Sequence, residues 1–110
     1  MAALVAELLA ETMKAYETHD VDKAVSVWNR DEEVDEMYTS LLRETLTYMM
    51  EDVRNITSST HGLFIAKKIE RMGDHATNVA DWVHYLVTGR RIEGGRPKGD
   101  ATSFETGQAD

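Results

Sequence analysis

The chain contains no cysteine. Disulfides, thiolate metal sites and cysteine nucleophiles are excluded at once. Helix breakers are nearly absent as well. There is one proline, and Pro97 with five of the seven glycines (Gly89, Gly94, Gly95, Gly99 and Gly107) falls after residue 88. A nearly all-helical body followed by a different kind of segment is the natural reading. Positive charge is scarce: 12 Lys and Arg stand against 20 Asp and Glu, a formal net charge of −8. Phosphate backbones need a basic surface, so nucleic acid is set aside as the main ligand. Divalent cations and basic partner surfaces suit this balance. No apolar run is long enough to cross a membrane and the first residues lack a signal-peptide pattern, so a cytoplasmic domain with no direct membrane insertion is expected. Also missing are a glycine-rich phosphate loop followed by lysine, a G-x-S-x-G elbow and an H-E-x-x-H pair, and no enzyme is expected.

What is present is one domain's worth of helix. With 110 residues, 42% of them hydrophobic, the chain can bury a single modest core. Leu4, Val5, Leu8, Leu9, Thr12 and Tyr16 share one side of a first helix, expected over residues 3–18. Asp20 or Asp22 can cap a second, expected from Val21 to about Ile56. The run Asn55 to Thr60 reads as a turn, with Ser58, Ser59 or Thr60 capping a third helix that ends at Thr88 against Gly89. Short connections make neighbouring helices antiparallel, so an all-α, antiparallel three-helix bundle is expected over residues 1–90. Residues 91–110 are expected to form a flexible tail.

The third helix organises the rest. Ile65, Ile69, Met72, Ala76, Val79, Val83 and Leu86 step by four and three, the pattern of a helix packed lengthwise on others, and are expected to form the core seam. Beside them Glu70, Asp74 and Asp81 lie within roughly 40° of one another, with Asn78 and His84 close by. Gly73, mid-helix at a cost of about 1 kcal/mol against alanine, is read as a place where a neighbouring helix approaches closely.

Two carboxylate pairs at spacing four, Asp31 with Asp35 and Glu70 with Asp74, each present both oxygens on one helix face. Hard cations want several carboxylate and amide oxygens, which these four residues and Asn78 could supply. A solvated acidic face is the plainer reading of such spacing. Counting residues from the expected turn offsets the two pairs by about 15 Å, which favours a separate ion for each. Lys67, Lys68 and Arg71 are read as solvated partners of nearby acids. Asp81 and His84 have a carboxylate-to-histidine spacing of three that di-iron bundles use twice; here it occurs once.

The run Glu70-Arg71-Met72-Gly73-Asp74-His75-Ala76-Thr77-Asn78-Val79-Ala80, followed by Trp82-Val83 and Tyr85-Leu86-Val87-Thr88-Gly89, resembles the PhoU family of phosphate-signalling proteins. The acidic stretch from Asp31 to Tyr38 resembles that family's other acidic motif, and the agreement covers about residues 3–90. The resemblance implies one three-helix bundle, most similar to the second of the family's two tandem repeats. It implies a negative regulator of the phosphate-starvation response. Such a regulator is an adaptor between the ATPase subunit of a phosphate importer and a sensor histidine kinase, peripheral to the membrane through those partners, with room for a homodimer. It also implies a divalent or ferric metal ion (Fe, Mn, Mg or Zn) at Asp31, Asp35, Glu70 and Asp74, with Asn78. The alternative from another class is a metal-storage or di-metal oxidase bundle.

Overall fold

The computed structural model describes residues 1–92. The expected tail over 93–110 lies outside the described residues. Three helices, α1 (Ala2–Thr18), α2 (Val21–Glu51) and α3 (Ile56–Thr88), run up, down and up, with a 3-10 turn at Val53–Asn55 between the last two. Each helix packs on the other two. No helix among the described residues is long and apolar enough to cross a membrane.

The boundaries have local causes. Asp20 caps α2, its side chain accepting from the Lys23 backbone N–H at 3.0 Å. Gly89 ends α3 in the left-handed region, φ 76°, where a residue without Cβ is unstrained. His19 does the same at the end of α1 with φ 55°, although it carries a Cβ. The expected turn at Asn55–Thr60 is corrected. Asp52 breaks α2 in an extended conformation, and its carboxylate accepts from the Arg54 backbone N–H at 2.9 Å and pairs with the Arg54 guanidinium at 2.7 Å. That local clasp draws the connection back to residues 52–55, so Ser58, Ser59 and Thr60 become helical.

The core sits at one end of the bundle. Its apolar members are Leu4, Val5, Leu8 and Ala15 of α1, Ala24, Val27 and Val34 of α2, and Ala80 and Val83 of α3. Nothing from 36 to 65 is buried. The reason is length: α1 has 17 residues, whereas α2 and α3 have 31 and 33, so only half of the long hairpin meets a third helix. Arg30 pins α1 to α2 beside this core, reaching Glu7 at 3.1 Å and Glu11 at 3.6 Å while holding Glu33 at 3.2 Å. The bond to Glu7 chiefly, then that to Glu33, keeps its guanidinium more firmly protonated than usual, against the opposing pull of burial.

The expected core seam of α3 is corrected too. Ile65, Met72, Val79 and Leu86 are all exposed, Ile65 by 61% and Leu86 by 59%. The inward stripe is instead Ala66, Glu70, Gly73, Thr77 and Ala80, one residue round the helix, joined by Ala76 and Val83. Small residues win this face because helices approach closely there. A Cβ on Gly73 would meet Val34 Cγ1 at 3.4 Å and Val5 Cγ2 at 3.6 Å, which bears out the close approach read from Gly73. The buried hydroxyls on this face are internally satisfied. Thr77 donates to the Gly73 carbonyl at 3.0 Å, and Thr12 on the facing side of α1 donates to the Leu8 carbonyl of its own helix at 2.7 Å and reaches the Ala76 carbonyl of α3 at 3.5 Å.

Candidate metal centre

The stripe that takes the core side of α3 is the one bearing the carboxylates. On α2, Asp31 and Asp35 flank Val34, and on α3, Glu70 and Asp74 flank Gly73. The Val34–Gly73 contact therefore brings the two acidic pairs together. One oxygen each from Asp31, Asp35 and Asp74 lie within 4.8 Å of one another. Asp31 is wholly buried, while Asp35 and Asp74 are half-buried. Glu70, one turn before Asp74, is 1% exposed. Asn78, one turn after Asp74, is half-buried.

This convergence overturns the expected 15 Å offset and removes the geometric ground for two separate sites. The offset was counted from a turn placed too late in the chain. With α2 ending at Glu51 and α3 beginning at Ile56, Asp35 stands 16 residues from the connection and Asp74 stands 18. These are heights of about 24 and about 27 Å, so the two aspartates are level.

The donor set suits a hard cation. Three carboxylate oxygens from two helices, spaced to share one ion, match the all-oxygen ligation of Mg, Mn, Ca and ferric iron better than that of soft metals. A cationic group stands beside this donor set: Lys67 Nζ is 3.1 Å from Glu70 Oε1 and 5.2 Å from the centre of the Tyr38 ring. The buried Asp31 and the half-buried Asp35 and Asp74 fit a hard cation, and Glu70 beside them already holds a positive group. The reading of Lys67 as a solvated partner of a nearby acid holds, with the buried Glu70 as that acid. The signal for it was its position three residues before Glu70, one turn away on the same face.

Asp81 and His84 have other work. Asp81, 7% exposed, accepts from the Ile92 backbone N–H at 2.9 Å and pairs with the Arg91 guanidinium. His84 Nδ1 donates to the Arg90 carbonyl at 2.6 Å. Arg91 also lies over the Trp82 ring, 5.1 Å from its centre. The acidic stripe of α3 thus divides. Glu70 and Asp74 face α2, and Asp81 fastens the chain where it leaves the helix, so Arg91 and Ile92 lie against the bundle.

Comparison with known proteins agrees with this architecture. The PhoU domain matches over residues 1–83. The phosphate-specific transport system accessory protein PhoU homolog of Rhizobium meliloti is 54% identical over 94% of this chain and 44% of its own length. The homolog of Caulobacter vibrioides is 50% identical over 94% of the chain and 45% of its length. The Escherichia coli accessory protein PhoU is 38% identical over 76% of the chain and 35% of its length. No solved structure gives a significant match. The chain spans less than half the length of these curated relatives. Within that half the correspondence takes in nearly the whole bundle, the three converging aspartates included: the chain belongs to the PhoU family.

Proposed function

We propose that this chain is a regulatory domain of phosphate uptake and phosphate-starvation signalling, not an enzyme. It binds a divalent or ferric ion and docks on the ATPase subunit of a phosphate importer and on a sensor histidine kinase. Support for the transport role comes from the relatives, which carry the name of phosphate-specific transport system accessory proteins. The observation that carries the metal reading is the meeting of Asp31, Asp35 and Asp74 at the α2–α3 interface. Glu70 and Asn78 stand one turn to either side of Asp74 and would complete the oxygen set. A bound ion would supply charge neutralisation between two helices, and Asp31 and Glu70 would hold it where water is largely excluded.

For docking, α1 and α3 offer an outward apolar face. Tyr16, Val79, Trp82, Tyr85 and Leu86 line a shallow groove that is almost free of polar surface. A storage or oxidase bundle has less support, because Asp81 and His84, its best additional ligands, are engaged by Ile92, Arg91 and Arg90.

Two experiments test the proposal. Mn(II) titration with thermal unfolding as the readout should raise the melting temperature of the wild type and not that of an Asp31→Asn/Asp74→Asn variant. Ligand at 100 times its dissociation constant stabilises by about 2.7 kcal/mol. Equal shifts in both proteins would remove the site assignment. Calorimetry against the importer ATPase subunit and the kinase cytoplasmic region should show binding that Trp82→Ala weakens; binding to neither would defeat the adaptor role.

A further inference from the structure

We infer that Lys67 is the resident counter-ion of the carboxylate cluster, held in place between Glu70 and Tyr38, and that a metal ion must displace it to bind. The inference rests on the metal reading above. Asp31, Asp35 and Asp74 bring an oxygen each within 4.8 Å of one another, Glu70 stands one turn before Asp74 on the same helix, and Asp31 and Glu70 are at most 1% exposed. Like charges this close and this dry repel strongly, so the fold without metal needs a cation among them. Lys67 supplies it. Its ammonium is 3.1 Å from Glu70 Oε1.

Two features make the ammonium a placeholder that can leave. Its side chain remains 35% exposed, whereas that of Glu70 is 1% exposed, so the pair has one fixed member and one with an open path to water. The lysine stem is long and its head strongly hydrated, so it can swing outward at little cost. The Tyr38 ring, one turn beyond Asp35, lies 5.2 Å from the ammonium and defines its inward position by cation–π attraction. Inward, Lys67 occupies an oxygen of Glu70 and sets one positive charge against any arriving cation. Outward, it returns that oxygen to the site. Metal affinity is thus set by this residue as well as by the ligands, and the bundle is held together in the metal-free state.

The test compares Mn(II) binding by calorimetry, and thermal stability in chelator, for the wild type, Lys67→Met and Lys67→Arg. Methionine keeps the apolar stem and deletes the charge, so it should bind Mn(II) more tightly by roughly tenfold, as expected for losing one opposing charge a few ångströms away. It should also melt lower than the wild type in chelator and recover on adding Mn(II). Arginine keeps the charge and should stay near the wild type in affinity. Equal affinity of Lys67→Met and wild type would overturn the counter-ion role while leaving the metal site standing. Weaker binding by Lys67→Met would overturn it as well. Binding by none of the three would defeat the metal reading and this inference with it. Should Lys67→Met fail to fold without metal, refolding it with Mn(II) present is the decisive measurement: recovery supports the role, and failure to recover overturns it.

Discussion

Val34 Cγ1 lies 3.4 Å from the point that a β-carbon on Gly73 would occupy. Each residue is next in sequence to a carboxylate, Asp35 on α2 and Asp74 on α3. The helix contact and the acidic cluster are therefore one feature. How close the backbones come sets how close the carboxylates come.

Substitution at Gly73 should separate helix propensity from fit. At 3.4 to 3.7 Å the added methyl of Gly73→Ala makes ordinary contacts with Val34 and Val5. Removing a mid-helix glycine favours the helix by about 1 kcal/mol. Gly73→Ala should therefore be neutral or stabilising in thermal melts. Gly73→Leu should destabilise by about 1–3 kcal/mol through overpacking, and should weaken Mn(II) binding by spreading the helices.

Val79 and Ala80 are adjacent, yet should respond oppositely to aspartate. Val79 is 44% exposed and Ala80 is fully buried in the core cluster. Val79→Asp should change stability by about 0.5 kcal/mol or less, as surface substitutions do. Ala80→Asp buries an uncompensated charge and should prevent folding or cost several kcal/mol. Urea denaturation measures both, and a large loss at Val79 would restore the outward stripe to the core.

Acid should loosen the α2–α3 connection through Asp52. The Arg54 guanidinium, and after it the Arg54 backbone N–H, hold the Asp52 carboxyl below its ordinary value. A carboxyl with a depressed folded-state pKa contributes stability above its unfolded value of about 3.9, and that contribution is lost as pH falls through the lower folded value. Asp52→Asn should therefore flatten the acid limb of the stability curve below about pH 4. It should leave the slope between pH 6 and 8 unchanged, as followed by circular dichroism. An unaltered acid limb would show that the Asp52–Arg54 clasp does not matter to folding.

His19 carries a backbone conformation better suited to glycine, φ 55° and ψ 41° at the end of α1. Its ring is exposed, so little is lost by removing it. His19→Gly should stabilise by up to about 1 kcal/mol, because a left-handed residue with a Cβ costs about 1–2 kcal/mol. A lower melting temperature would show that the ring has a role at this corner.

Helix number, order and antiparallel sense were legible from periodicity and breakers, and the caps at Asp20 and Gly89 from their chemistry. Family membership was legible from the run around Glu70 to Asn78. The facing of α3 was not. Hydrophobicity marks Ile65, Met72, Val79 and Leu86, whereas packing selected the small residues Ala66, Gly73 and Ala80, because close backbone approach was worth more here than large side chains. The acidic residues of the candidate site were legible as residue types in register on each helix. Their meeting was hidden, since it depends on the turn, and the turn is set by the short Asp52–Arg54 clasp instead of the richer serine and threonine run that follows. The pairing of Lys67 with an acid was legible from its spacing of three to Glu70; that this acid is buried was not, because it follows from which face of α3 packs inward.

The brevity of α1 has a dynamic consequence. A hairpin gripped at one end by a third helix and bare at the other does not open uniformly. Amides near Leu8, Val27 and Ala80 should exchange with solvent only when the whole bundle unfolds. Those from Met37 to Phe64 are held chiefly by their own helical bonds and should exchange through local fraying that starts at the connection and runs toward the carboxylates. The acidic cluster stands at the boundary between these two regimes. A cation bound there would act as a rivet at the mouth of a zipper, halting the fraying at Asp35 and Asp74 and converting charge bound at one point into rigidity along the free arm.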